Sequence, residues 1–174
     1  MTDKPPFDPK DPIPKEYYEA VGRISNAWAS FEFYIDKLIW HVAGVSAMVG
    51  TCLTAQFIGP APRFRALAAL LHFRGATKEI ISSVNKFSED VRGIAADRNR
   101  WSHDPMFYGE GGVIIRHQRT ADRKLILDAI EADLAEMSDL NRKIWGSISA
   151  FKVLKDTVIS SMPPLPRIPP EPAD

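Results

Sequence analysis

The sequence predicts an all-α fold: an up-and-down helical bundle of about five helices, with a small β-hairpin insertion after the fourth helix. Two observations carry this prediction. Of 14 prolines, five lie in the first 14 residues and six in the last 12. Proline breaks helices, so an interior that contains only three favours a helical body. Within that body, apolar residues recur at alternating spacings of four and three, which is the period of a helix with one buried face.

The first three helices follow from this rhythm and from the glycines and prolines that interrupt it. An unbroken apolar stripe over 17–42 predicts a helix of about 28 residues, on the order of 40 Å long, and Gly44 is placed to end it. Shorter helices are expected over 47–57, which is apolar and is followed by Gly59 and Pro60, and over 63–73, which is rich in Leu and Ala and is followed by Gly75.

The fourth helix carries the residues of greatest interest. Thr77 is a suitable N-cap, and the apolar rhythm runs on to Ile94. The next position of the same stripe is Arg98. Pro105 pushes the residue before it out of the helical region, so the helix should end near His103.

Two further elements follow the fourth helix. Residues 106–108 and 113–115 flank a glycine cluster at 109–112, a pattern typical of a β-hairpin. A last long helix is expected over 127–160. The predicted organisation is a Pro-rich disordered tail at 1–14, a helical domain at 15–162 and a Pro-rich tail at 163–174.

Composition limits the classes of function. Cys52 is the single cysteine, which excludes an internal disulfide and fits a cytoplasmic protein. The uncharged window 38–62 is long enough to span a bilayer, but its polar residues favour a buried helix, so no membrane association is expected. None of the common nucleotide, metal or hydrolase motifs occurs, and the four histidines have no ligand spacing, so neither a cofactor nor a metal site is predicted.

The net charge of zero conceals an uneven distribution. Residues 63–124 hold 12 Lys and Arg against 7 Asp and Glu, a net charge of +5, whereas 125–140 hold five acids and no base. Two solvated faces of opposite sign are one interpretation. The other is a basic cleft for RNA phosphates, with Arg100 among its cations and Trp101 as a surface for base stacking, although an aromatic residue is more often part of the core.

The end of the fourth helix groups three side chains that suit phosphate chemistry. Asn99 and His103 are four residues apart and share a helix face, and Arg98 can reach toward them. An arginine binds anionic oxygens, and a histidine near neutral pKa can transfer a proton. The alternative is structural: Arg98, a cation on an apolar stripe, pairs with Glu32 or Asp36 of the first helix.

The segment RNRWSH at 98–103 resembles the Arg-x(4–6)-His signature of HEPN-type helical domains. The likeness extends over about 15–160 and includes a long first helix with an acidic residue in WASFEFYIDKLIW. It implies a metal-independent endoribonuclease, often a toxin or anti-phage effector, in which two copies of the motif face each other across a homodimer cleft. RNA and an antitoxin protein are then the candidate partners.

The resemblance also implies roles for single residues. Arg98 would bind the phosphate, His103 would act in the attack by the 2′-hydroxyl, and Asn99 would orient both, with Glu32 as a supporting residue. One departure is that the family often has glycine after the histidine, where this chain has Asp104. Family members without activity exist, so the competing hypothesis is a non-enzymatic helical interaction or scaffold module.

Overall fold

A computed structural model describes residues 13–120 and 126–163, and it confirms an all-α bundle with a small antiparallel insertion. The described residues form six α-helices, three strands and one short 3-10 helix at Glu110–Gly112. The α-helices and strands are α1 (Lys15–Ala43), α2 (Ala47–Thr54), α3 (Pro60–Phe73), α4 (Lys78–Asp90), α5 (Arg92–His103), β1 (Met106–Tyr108), β2 (Ile114–Thr120), β3 (Ile126–Glu131) and α6 (Leu134–Ser161). Most of both predicted tails, at 1–12 and 164–174, lies outside the described residues.

The first three helices begin and end close to their predicted bounds. Gly44 (φ 70°) follows α1 and Gly75 (φ 72°) follows α3. Both adopt the left-handed conformation that glycine tolerates best, which is why they end these helices. In the part of the chain that the structure describes, no single helix is long and apolar enough to cross a membrane; α1 and α2 together pass that test by length and composition but are bent by 118° at their break.

The predicted fourth helix is divided into two helices, α4 and α5. Thr77 is the N-cap of α4, as expected, and its Oγ1 accepts a hydrogen bond from the Ile80 amide. The helix then ends at Val91, whose φ of −87° and ψ of −5° depart from α-helical values. Because Val91 is itself buried, the apolar rhythm continues across the break and could not reveal it.

The insertion is a three-stranded antiparallel sheet in the order β1-β2-β3 rather than a hairpin alone. Met106 pairs with Arg116 between β1 and β2, and Ile115 pairs with Glu131 between β2 and β3. Strand β3 occupies residues predicted as the start of the last helix, which instead begins at Leu134. Asp133 accepts a hydrogen bond from the amide of Ala135 and so marks that start.

The chain divides into two compact units. The first unit contains residues 1–29 and 93–146, and the second contains 30–92 and 147–174. Apolar residues of α1, α5, the sheet and α6 form the core of the first unit: Ile24, Ala27, Trp28, Trp101, Ile114, Ala132, Met137, Leu140 and Ile144. The core of the second unit is built around the rings of Phe31, Phe64, Phe87 and Phe151, whose centroids lie 5.6–6.4 Å apart.

Candidate functional site

Helix α5 places the predicted site residues, and it ends where the sequence predicted. The Asp104 amide still donates to the Arg100 carbonyl at 2.9 Å, and Pro105 follows. Because successive residues of a helix are rotated by about 100°, α5 presents two different sets of side chains. Asn99 and His103 share one side of α5, and Arg98, about 140° from His103 around the axis, reaches Asn99 with its side chain; we call the surface that these three residues form the motif face.

On the motif face, Arg98 is held by two neighbours within the first unit. Its Nη1 donates to Oδ1 of Asn99 at 3.1 Å, and its guanidinium carbon lies 5.9 Å from the ring centroid of Trp28. The Nε of Arg98 is buried and has no hydrogen-bond partner among the described residues. Arg98 is therefore half-buried, with its charge placed over an aromatic ring and beside an amide.

His103 occupies the last turn of α5 and is exposed. Within residues 13–120 and 126–163, its imidazole makes no hydrogen bond to Arg98 or Asn99. The α-carbons of Arg98 and His103 are separated by about 7.5 Å along the helix axis. The structure thus brings Arg98 and Asn99 into contact and leaves the His103 imidazole open to solvent one turn further on.

Arg100 and Trp101 line a different part of the α5 surface, which we call the cavity face. A cavity of about 290 Å³ adjoins it. Its walls come from α5, β2 and the start of α6: Asp97, Arg100, Trp101, Arg116, Glu136, Asp139, Leu140 and Lys143. Three of these side chains are basic and three are acidic, so the basic surplus seen in the sequence does not accumulate here.

The two predicted RNA-binding residues are both occupied by protein contacts. Arg100 lies 3.1 Å from Asp97 in an exposed pair one turn apart. Trp101 is only 6% exposed, and the guanidinium carbon of Arg116 lies 4.7 Å from its ring centroid. Trp101 is therefore a core residue of the first unit, which was the alternative interpretation of this aromatic.

Asp104 has a partner that the sequence did not indicate. Its Oδ2 accepts a hydrogen bond from Nη1 of Arg116 at 2.6 Å, and both side chains are almost fully buried. The contact arises because β2 pairs with β1 and returns Arg116 opposite Met106, two residues beyond Asp104. Only a correct hairpin register could have predicted it. The carboxylate of Asp104, which stands next to His103 where HEPN-type domains often have glycine, is thus engaged by Arg116.

Two acidic residues of α1, Glu32 and Asp36, face an arginine in the second unit. Arg63 is buried, and its Nε donates to Oδ1 of Asp36 at 2.8 Å, while its Nη1 lies 3.9 Å from Oε1 of Glu32. Burial raises the pKa of Asp36, although hydrogen bonds from Arg63 and Thr54 oppose the rise. The cation that these carboxylates meet is Arg63, which the sequence did not single out. A supporting role for Glu32 at the motif stays a prediction.

No protein-family model matches this chain, and no curated protein or solved structure matches it either. Among the described residues, no group of three or more His, Cys, Asp or Glu side chains could hold a metal ion. The candidate functional residues are therefore those of α5 and the side chains that contact them.

Proposed function

We propose that this chain is a metal-independent endoribonuclease of HEPN type, acting as a homodimer with Arg98 and His103 at a cleft shared by two copies. One observation carries the proposal: Arg98 is held by Asn99 on α5, and an exposed His103 follows in the last turn of the same helix. These groups supply a permanent cation for phosphate oxygens and an imidazole that can accept and donate a proton.

The proposed reaction is an internal transfer within the RNA backbone. The 2′-oxygen bonds to the adjacent phosphorus while the bond from phosphorus to the 5′-oxygen breaks. His103 accepts the proton of the 2′-hydroxyl, and Arg98 offsets the charge that develops on the non-bridging oxygens. A second copy of His103 across the cleft protonates the departing 5′-oxygen. The products are a 2′,3′-cyclic phosphate and a 5′-hydroxyl.

The test is RNA cleavage by the purified chain in the presence of EDTA, with analysis of the product ends. The variant His103→Ala should lose activity by about a hundredfold or more, the usual contribution of an acid–base group. His72→Ala is the matched control, because His72 is also an exposed histidine in the last turn of a helix, α3. If no RNA is cleaved under any condition, or if His103→Ala is as active as the unaltered chain, the proposal is wrong.

The homodimer is tested separately by light scattering at the concentration of the cleavage assay. A monomer that cleaves RNA would refute the shared cleft while leaving the chemistry of His103 in place. A role as a toxin or anti-phage effector further implies an inhibitory antitoxin protein. Such a partner should co-purify with the chain and suppress its cleavage activity.

The second candidate is a non-enzymatic interaction module that uses the same helices to bind a partner protein. It is favoured by the cavity face, where the charges balance and Trp101 is buried instead of open to a base. This alternative predicts self-association or partner binding with no RNA affinity even at low salt, where contacts to phosphates are strongest. Fluorescence anisotropy with labelled RNA at several salt concentrations distinguishes the two functions.

A further inference from the structure

The outward side of α2 and the loop after it form an exposed apolar surface in the second unit. Met48 is 81% exposed and Ile58 is 92% exposed, and Val49 and Leu53 are each half exposed. We call these four residues the α2 face. From residue 38 to residue 62 the sequence contains no Asp, Glu, Lys or Arg. Several large apolar side chains exposed within one uncharged segment are typical of a surface that contacts another part of a protein.

The inward side of α2 packs closely against α1, so the helix cannot rotate to bury the α2 face. A Cβ at Gly50 would overlap the indole of Trp40, which shows how closely the two helices approach. The Nε1 of Trp40 also donates to Oγ1 of Thr54 at 3.1 Å in a buried hydrogen bond. These contacts hold the α2 face toward the outside of the second unit.

A buried arginine anchors the end of the described chain near α2. Arg74 is 7% exposed; its Nη1 donates to the carbonyl of Val42 and its Nη2 to the carbonyl of Pro163, both at 2.6 Å. Val42 is the penultimate residue of α1, and α2 begins at Ala47. The polypeptide that continues beyond Pro163 therefore starts next to the turn from α1 into α2.

The sequence after Pro163 is suited to cover an apolar helix. Residues 164–174 contain five prolines together with Leu165 and Ile168. Proline has no amide hydrogen and a fixed φ. When such a segment binds an apolar surface, few backbone donors lose hydrogen bonds to water and little conformational entropy is lost. At about 3.1 Å per residue, 164–174 can reach roughly 34 Å, whereas the eight residues of α2 extend only about 12 Å.

We propose that residues 164–174 dock on the α2 face of the same chain, with Leu165 and Ile168 as the apolar anchors. The anchor at Pro163 makes this contact intramolecular. A short tether gives an effective concentration in the millimolar range, so a contact too weak to detect between separate molecules can still be largely formed. The docked segment masks a surface that would otherwise attract a second copy or another protein.

Cys52 provides the probe for the test. It is the only cysteine of the chain, it lies in α2 beside Leu53, and it is free and exposed. The rate of its alkylation by N-ethylmaleimide is measured by mass spectrometry in the full chain, in a chain truncated after Pro163, and in Leu165→Ser/Ile168→Ser. If the segment is docked about 80% of the time, both changes should raise the rate about fivefold.

Two controls make the experiment decisive. Ala173→Ser alters the same segment without touching the apolar anchors and should leave the rate unchanged. A synthetic peptide of residues 164–174, added at millimolar concentration to the truncated chain, should slow the alkylation again. Equal rates in the full and truncated chains would overturn the proposal. A rate in the full chain that falls as protein concentration rises would also overturn it, because a second copy would then cover the α2 face.

Discussion

The Nη1 of Arg116 lies 2.6 Å from the Oδ2 of Asp104, and this buried pair joins the residue after α5 to the central strand of the sheet. Arg116 also covers the ring of Trp101 on α5. Arg116 thus contacts both Asp104, which follows the helix that carries His103, and Trp101 within that helix. The position of His103 depends on a contact outside the motif itself.

Breaking this pair should strongly destabilise the protein. Arg116→Ala leaves the Asp104 carboxylate buried without its cation, a change that typically costs about 3–5 kcal/mol. The free energy of unfolding is measured by urea denaturation. Arg142→Ala is the control, because Arg142 forms an exposed pair with Asp139 and its loss should cost about 0.5 kcal/mol or less. If the two substitutions lowered the free energy of unfolding equally, burial would not be what makes the Asp104–Arg116 pair stabilising.

Replacing Arg98 should have only a small effect on stability. Its described partners are an amide and an aromatic ring, so Arg98→Ala should cost about 0.5–1 kcal/mol, the size of a partly exposed cation–π contact. Thermal unfolding measures the loss of stability in Arg98→Ala. The control is Arg92→Ala, which removes an exposed arginine at the other end of α5. A loss of about 3–5 kcal/mol would instead indicate a buried ion pair and a structural role for Arg98.

Close packing of α2 on α1 makes Gly50 intolerant of a side chain. Gly50→Ala places a methyl group inside the Trp40 indole, so we expect it to cost about 1–3 kcal/mol through overpacking. Gly146→Ala is the matched control: Gly146 is also helical, nothing lies near its Cβ position, and alanine there should stabilise α6 by up to about 1 kcal/mol. Chemical denaturation of both variants should give changes of opposite sign.

The raised pKa of Asp36 predicts a pH dependence of stability. Burial raises this pKa above its ordinary value, so the folded chain binds the proton more tightly than the unfolded chain. The contribution of Asp36 to stability is therefore fully present below the unfolded pKa and is lost as the pH rises through the folded pKa.

Urea denaturation of the unaltered chain and of Asp36→Asn at a series of pH values measures this contribution of Asp36. The free energy of unfolding of the unaltered chain, relative to that of the variant, should increase as the pH falls from above the folded pKa of Asp36 to below its unfolded pKa. The reverse slope would mean that the hydrogen bonds from Arg63 outweigh burial. A direct carboxyl titration by NMR gives the pKa itself.

Local sequence signals were sufficient for most of the helices. Gly44 and Gly75 end α1 and α3 because their left-handed backbone suits glycine, and Thr77 caps α4 through its own hydroxyl. Such signals act within a few residues, so they can be recognised without knowledge of the fold. They failed at Val91, where the helix breaks while the apolar rhythm continues, and at 126–131, where an apolar spacing compatible with a helix forms a strand.

The sequence by itself determined the all-α class, the insertion after the helix that ends at His103, and the placement of Arg98, Asn99 and His103 on consecutive turns. Those features follow from backbone geometry and periodicity, which depend on neighbouring residues. Only the tertiary structure decided which charges meet. Asp104 pairs with Arg116, and Asp36 pairs with Arg63, across 12 and 27 residues respectively. A buried charge binds whichever opposite charge the fold brings within hydrogen-bonding distance, and that choice has no local signature.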